Sequence, residues 1–434
     1  MASSTVSAAK VKANATGGGE GDRPAGSGPH VVIVGAGLAG IAAAIALKTQ
    51  LGFENFTIYE RGDSIGGTWR DNTYPGCGSD VPAHWYSLSS ELNPHWETFF
   101  ATQPELRAYW EHLWHKHDLA RRTVLNANVR GAVWREEAQR YVVEVEDVSG
   151  YASQDGDGGK GKGGDGERRI KKVEAQVVFW AIGGFQAPLY PTPGCKRIIV
   201  DPGYLSALKQ PNVNIRWDAI DRIVEKGIQM KSGEFVPLDV IIFSTGYLTD
   251  GSNQLQIRGR DGVTLREYFE SKGGPYAYLG SCIPGFPNQY LVLGPNVASG
   301  HASVIFSEEA QIQHALQLIK PVLEGKAKSF EVTEEATVKY NEWLQTRLQD
   351  SVWTDCMSYY QAGRNNKTRI VATFPGPVAL FWWFCRRPRW ELFRGVGAEA
   401  WEQEQKVGRI TKGALLAVVV AAALGIGFAG WTGI

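Results

Sequence analysis

His30 to Val34 read HVVIV and run straight into Gly35-Ala36-Gly37-Leu38-Ala39-Gly40, followed by the helix-favouring IAAAIALKTQ. A β-branched run, a Gly-x-Gly-x-x-Gly turn and an alanine-rich helical run predict the strand–turn–helix opening of a doubly wound, parallel α/β sheet. Gly35 permits the tight turn, Gly37 lets backbone N–H groups approach a pyrophosphate, and Gly40 lets helix and strand pack closely. A second predicted strand, Phe56–Glu60, ends in a carboxylate twenty residues beyond Gly40, a spacing that suits acceptance of ribose hydroxyls. The ligand expected is an adenine dinucleotide, and the position near the N-terminus suits FAD or NAD.

The 434 residues allow two or three domains. With 43% hydrophobic and 21% charged residues the chain is not disordered as a whole. Lys+Arg 45 against Asp+Glu 45 leaves no basic excess, which argues against nucleic acid as a partner. The five cysteines, Cys77, Cys195, Cys282, Cys356 and Cys385, are scattered without a Cys-x-x-Cys pair. A disulfide framework or zinc site is therefore not expected, and a reducing compartment fits. Residues 1–29 are rich in Ala, Ser and Gly and carry no apolar run, so a disordered tail is expected there rather than a signal peptide. Ser149–Arg169, SGYASQDGDGGKGKGGDGERR, lies between strand-like runs at Tyr141–Val145 and Val173–Trp180, and is expected to be a long hairpin loop. Gly413–Ile434 is a run of 22 uncharged residues preceded by Lys406, Arg409 and Lys412. Its length predicts a transmembrane helix, a single-pass C-terminal anchor with the catalytic body in the cytosol, at the endoplasmic reticulum for example.

The segment after Glu60 separates the two cofactors. Arg61 to Ser89 reads RGDSIGGTWRDNTYPGCGSDVPAHWYSLS. Its GGTW and YPGCGSDVPAHWYS elements resemble the class B flavin monooxygenases, in particular the Baeyer–Villiger branch. The resemblance continues through Phe99–Trp114, expected to be a helix, and through Val177–Gly184 (VVFWAIGG), a strand with Ile182 where the family has Thr. It extends to Leu238–Tyr247 (LDVIIFSTGY), a later strand ending in Thr-Gly, and to Leu291–Ile312 with Gly294-Pro295-Asn296 at its turn. Beyond that turn a helix is expected from near Ser307 towards Val322, interrupted near Pro321, and Asp355–Phe393 resembles the family's C-terminal region. In all, the similarity spans roughly residues 30–410.

The resemblance implies an FAD-dependent monooxygenase of the Baeyer–Villiger type. It would use NADPH and O2 on a lipophilic carbonyl compound, plausibly in a secondary-metabolite pathway. By position it implies that Gly67, Thr68, Trp69 and Asp71 lie along the FAD. Asp80 and Val81 would sit near the isoalloxazine, with Asp80 the candidate catalytic group; Tyr86 would contact the cofactor, and Asn296 would lie in the segment that closes over the flavin.

One departure is large. The family carries a second nucleotide domain for NADPH, with its own glycine fingerprint and an arginine that stabilises the anion formed with O2. Here Gly184 is followed by FQAPLYPTPG and at once by CKRIIVDPGYLSALKQPNV, which resembles the far end of that domain. No second glycine fingerprint is set between a strand and a helix. The expected organisation is an FAD domain at 30–194, a remnant of the NADPH domain at 195–236, and the rest of the FAD domain with a helical cap at 237–410. Arg70 and Arg364 are conceivable stand-ins for the missing arginine, although a salt-bridging role is the stronger expectation for each. The family also carries, after its Ala-Thr-Gly strand, a proline-rich fingerprint with a His and a Trp, which is absent here; His301 falls in the flavin-closing segment and is not a substitute for that histidine. An oxidase or redox-neutral flavoprotein that does without NADPH, or a non-catalytic, membrane-tethered relic or binding partner, are the alternative readings. Substrate identity and oligomeric state are not legible.

Overall fold

The computed structural model describes residues 28–149, 169–182, 204–241, 256–298, 303–349, 351–354 and 369–407. Strand β1 (Val31–Val34) is wholly apolar and buried, as a strand covered on both faces must be. Next come α1 (Leu38–Leu51), β2 (Phe56–Tyr59), the single turn α2 (Thr68–Asp71) and α3 (Gln103–Lys116). They are followed by β3 (Thr123–Val124), β4 (Ala127–Arg135), β5 (Arg140–Asp147), β6 (Ile170–Ala175) and β7 (Val177–Trp180). The middle of the chain supplies α4 (Tyr204–Ala207), β8 (Ile220–Val224), β9 (Gly227–Met230), β10 (Phe235–Pro237), β11 (Gln256–Arg258) and α5 (Leu265–Ser271). The remainder is β12 (Gln289–Leu291), α6 (Val304–Leu323), β13 (Ser329–Val332), α7 (Glu334–Leu348), α8 (Val378–Cys385) and β14 (Phe393–Val396).

The parallel α/β core expected from the glycine fingerprint is present. Five strands pair in the order β12-β7-β1-β2-β3, every pair parallel. Side chains alternate across this sheet with the two-residue strand period. Val31, Ile33, Ile58, Val177 and Phe179 share a core with α1, α3 and α6, while Val32, Val34, Tyr59, Val178 and Trp180 pack with β4 and β5. Helix α1 is alanine-rich, so its backbone lies close to the sheet, and it ends on Gly52 in the left-handed region. Because β12 comes from residues 289–291, the segment after the mid-chain hairpins completes the sheet begun at Val31.

The second sheet has the order β11-β4-β5-β6. Its β5 and β6 pair antiparallel in the register Tyr141↔Ala175, the hairpin expected around the Gly-rich stretch, whose residues 150–168 lie outside the described residues. A third, antiparallel sheet, β10-β9-β8, falls largely within the 195–236 segment. It is mostly exposed, and Trp217 just ahead of it is 91% exposed.

Several sequence expectations are corrected. Among the described residues no helix is long and apolar enough to cross a membrane. The fold is therefore the α/β Rossmann type without an established spanning helix; Gly413–Ile434, on which that expectation rested, lies outside the described residues. Leu238–Val240 are not in a strand, because β10 ends at Pro237 opposite Gly227, the first residue of its partner β9, which leaves the following residues no strand to pair with there; residues 242–247 lie outside the described set. Helix α6 begins at Val304 and runs through Pro321 to Leu323 without interruption. Ser303 Oγ accepts the Ile305 N–H at its start, and Pro321, two residues before its end, removes the one intrahelical bond its N–H would have made to Gln317 O while the helix continues to Leu323.

Candidate cofactor site

The site lies at the C-terminal edge of the parallel sheet, where ligands of open α/β sheets bind. Gly35 has φ +100° and donates its N–H to Tyr59 O at 2.8 Å. A Cβ there would stand 2.5 Å from Ala181 O, and one on Gly40 would stand 1.9 Å from Gly35 O. The backbone of α1 is thus held against the turn at a distance only hydrogen allows. Across the site, a Cβ on Gly67 (φ +52°) would meet Gly37 Cα at 2.9 Å, so the GGTW segment closes directly on the glycine turn. The N-terminus of α1 has Gly37 as its cap and no side-chain cap bond. Its first-turn N–H groups, which an α-helix leaves without intrahelical partners, therefore have no competing protein side chain.

Glu60 ends β2 as the spacing predicts and is buried. Its Oε2 accepts the Ala36 N–H at 2.7 Å, while Oε1 accepts the Gly62 N–H and Arg70 Nη1–H, each at 2.8 Å. Oε2 thereby keeps a free lone pair for a hydroxyl. Arg70 also donates from Nη1 to Ser64 O and from Nε to Asp71 Oδ1, both at 2.7 Å. Burial disfavours the charged Arg70 guanidinium, but its bonds to Asp71 and Glu60 outweigh that and hold its pKa above the ordinary value. Arg70 is thus a salt-bridging residue at the Glu60 end of the cradle; Arg364 and His301 lie outside the described residues.

The remaining expected residues divide by burial. Thr68 opens α2 and is exposed. Trp69 is buried edge-on to Tyr86, with ring centroids 5.5 Å apart, and its indole Nε1–H has no hydrogen-bond partner. Asp80 is exposed and Val81 buried, the Val81 N–H bonding Ser79 Oγ at 3.1 Å. Asn296 sits at φ +58° beyond the C-terminal end of β12, on the cradle's edge of the sheet. Its Nδ2 donates to Ile370 O at 2.8 Å and Thr373 O at 3.0 Å, so that its amide donors tie this turn to the 370–373 segment. The structure therefore brings Gly35, Gly37, Gly40, Glu60, Gly67 and, through Arg70, Asp71 into one cradle. Trp69 and Tyr86 pack as a pair in the adjoining core.

Two features escape the sequence pattern. Glu309 of α6 accepts the Ser89 N–H and Oγ–H at 2.9 and 2.8 Å, fastening the end of the YPGCGSDVPAHWYSLS loop to the helix. Next to it, Glu308 is fully buried with Oε2 unpartnered; burial first, then the neighbouring Glu309, pushes its pKa up to about 8. No motif marks Glu308, since helical spacing alone places it no differently from an apolar core residue. Unfolded, this carboxyl ionises near its ordinary value of 4.5; folded, it does so only near 8. Its contribution to stability is complete below the first value and is lost as pH rises towards the second, by about 1.4 kcal/mol per pH unit. Denaturant titrations across this range are expected to show the wild type losing stability relative to Glu308→Gln, with the difference levelling off above about pH 8. Parallel pH profiles would contradict the burial of an uncompensated acid.

The comparisons with known proteins accord with this geometry. Residues 33–102 match the model of an NAD(P)-binding Rossmann-like domain. A Baeyer–Villiger monooxygenase of Pseudomonas aeruginosa is 28% identical over 457 positions, covering 77% of this chain and 86% of that protein. An FAD-binding monooxygenase of Aspergillus niger is 26% identical over 530 positions, covering 90% of this chain and 86% of that protein. The chain is Baeyer–Villiger monooxygenase-like. Among solved structures, a cyclohexanone monooxygenase from Rhodococcus sp. Phi1 bound to NADP+ shares the fold with TM-score 0.71 at 18% identity. A steroid monooxygenase bound to NADP does so with TM-score 0.69 at 20% identity, and each match covers 85% of this chain and 99% of the other. In the bacterial alignment this Baeyer–Villiger-like chain supplies about 334 residues (77% of 434) to 457 positions, leaving about 123 positions with no residue of its own.

Proposed function

We propose that this protein is an FAD-dependent monooxygenase of the Baeyer–Villiger type that places one oxygen atom of O2 into a lipophilic carbonyl compound, in a secondary-metabolite pathway. The observation that carries the reading is the cradle itself: a helix N-terminus without a side-chain cap, glycine contacts that admit no Cβ, and a buried Glu60 with a free lone pair. These features fit FAD. When bound, FAD supplies the redox chemistry that activates O2. The first-turn N–H groups of α1 would face its pyrophosphate and Glu60 its ribose, while Arg70 holds the Glu60 side chain in place. The packed Trp69–Tyr86 pair closes the core beside the cradle against water. The match to monooxygenases from a bacterium and a filamentous fungus supports the oxygenase class, and the fungal one supports the pathway reading.

NADPH is the reductant of proteins of this kind. Among the described residues there is no second strand–glycine turn–helix cradle to hold it. That shortfall, together with the roughly 120 alignment positions without a residue here, favours one second reading: a flavoprotein that works without NADPH.

The test uses the full chain loaded with FAD. NADPH consumption that rises when lipophilic ketones are added, with a product one oxygen atom heavier than the ketone, is the expected result. Failure of every ketone in an aerobic panel, with the flavin bound, would overturn the oxygenase reading. Anaerobic NADPH that leaves the flavin oxidised would select the second reading instead.

A further inference from the structure

Helix α8 carries a surface that the proposed chemistry does not use. Its inward side is fixed in the core: Phe381 and Cys385 are buried, and Phe384 packs edge-on to Trp343 with ring centroids 5.4 Å apart. The other side presents Trp382 and Trp383, which are 45% and 53% exposed. Two adjacent indoles left in water are costly unless something covers them, because each offers a large apolar ring along with an N–H that prefers a polar boundary.

Exposed arginines follow them closely in the chain. The Arg386 guanidinium lies 3.5 Å from the Trp383 ring centroid, Arg387 and Arg389 follow on the exposed surface, and Arg347 stands 5.4 Å from the centroid of Trp343. Among the described residues only Arg389 of these four has an acidic partner, Glu391 at 3.0 Å. An occupant must therefore offer negative charge beside an apolar layer into which indole rings can sink.

We propose that the α8 face, Trp382 and Trp383 with Arg386 and Arg387, docks on an anionic lipid surface. The indoles enter the interfacial region and the arginines meet the headgroup phosphates and carboxylates, the arrangement in which Trp and Arg are both favoured at a bilayer boundary. The contact is peripheral. At eight residues, α8 is about 12 Å long and cannot span a bilayer. Docking of this kind would hold the body of the protein where a lipophilic substrate concentrates, but the assignment does not depend on the oxygenase reading.

The experiment uses the full chain with FAD added and two sets of vesicles, phosphatidylcholine alone and phosphatidylcholine with about one-third phosphatidylserine, each prepared with and without bromine-labelled acyl chains. On the anionic vesicles the brominated lipid is expected to quench part of the tryptophan emission, and Trp382→Phe/Trp383→Phe is expected to remove that part. Arg386→Gln/Arg387→Gln should weaken binding to the anionic vesicles by about tenfold or more, while Arg386→Lys/Arg387→Lys should retain it. Equal quenching in wild type and the double Phe variant would place any bilayer contact elsewhere and overturn the proposal, even with the protein bound. Binding indifferent to phosphatidylserine, or to loss of the two arginines, would also overturn it, and would leave an acidic protein partner as the better occupant. The Phe and Lys variants keep ring packing and charge, so misfolding does not mimic either outcome.

Discussion

Gly40→Ala is expected to weaken FAD binding by a hundredfold or more and to lower the stability of the chain by about 3 kcal/mol. The added Cβ would stand 1.9 Å from Gly35 O and 3.0 Å from Gly35 C, both backbone atoms that no rotamer change can move aside. Relief comes only if α1 lifts from β1 or the 35–37 turn opens. Lifting α1 creates voids among Ile33, Ala43 and Leu47, all fully buried, and opening the turn redirects the N–H groups meant for the pyrophosphate. Gly52→Ala is the control. Gly52 has φ +60° but nothing within 4 Å of a Cβ, so it pays only for its backbone conformation, about 1 kcal/mol, and leaves flavin binding intact. Flavin absorbance titrations and urea unfolding of the two variants measure both quantities. Equal behaviour of the two would mean that the helix–turn contact is not what shapes the cradle.

Arg70→Met is the second large effect. Glu60 and Arg70 have side chains only 6% and 13% exposed and meet at 2.8 Å, so removing the guanidinium leaves a buried carboxylate with two backbone N–H donors and no cation. Such a change costs about 3 kcal/mol, much of it the penalty of the abandoned charge rather than the value of the pair. Glu60→Gln/Arg70→Met removes both charges and is expected to recover part of the loss in stability, since the amide nitrogen then faces one of the two backbone N–H donors that the carboxylate accepted. It should not recover FAD affinity, because the amide that replaces the carboxylate is a weaker acceptor for a ribose hydroxyl. A double-mutant cycle on urea unfolding gives the coupling. If Arg70→Met alone lies within about 0.5 kcal/mol of wild type, the pair is not what holds Glu60 in place.

What was legible in the sequence was backbone chemistry. HVVIV before GAGLAG could hardly serve as anything but a buried parallel strand and its glycine turn, and the structure puts Gly35, Gly40 and Glu60 where those roles require. Side-chain destinations were less legible. Trp69 and Asn296 stand in segments that resemble flavin-wrapping ones, but Trp69 is packed against Tyr86 and the Asn296 amide donates to the carbonyls of Ile370 and Thr373, some seventy residues away in the chain. Long-range partners of that sort leave no local spacing to read. Arg70 shows the same limit from the other side. Salt bridging is the stronger expectation for it, ahead of a clamp on a developing anion, but only the fold reveals that its partners are Glu60 and Asp71. Pro321 misled because proline usually breaks a helix, whereas here the helix ends only two residues beyond it and just one intrahelical bond is lost. The apolar run at 413–434 shows what length and hydropathy can suggest from sequence, and the described helices give it no counterpart.

The cradle between α1, Glu60 and the GGTW turn is where FAD is expected to bind. Titrating the purified full chain with FAD while recording the visible spectrum tests this most directly. One equivalent of flavin bound, with absorbance bands shifted and sharpened relative to free FAD, and lost in Gly40→Ala, is the predicted result. A spectrum that stays that of free flavin in the wild type, or binding unchanged by Gly40→Ala, would contradict it.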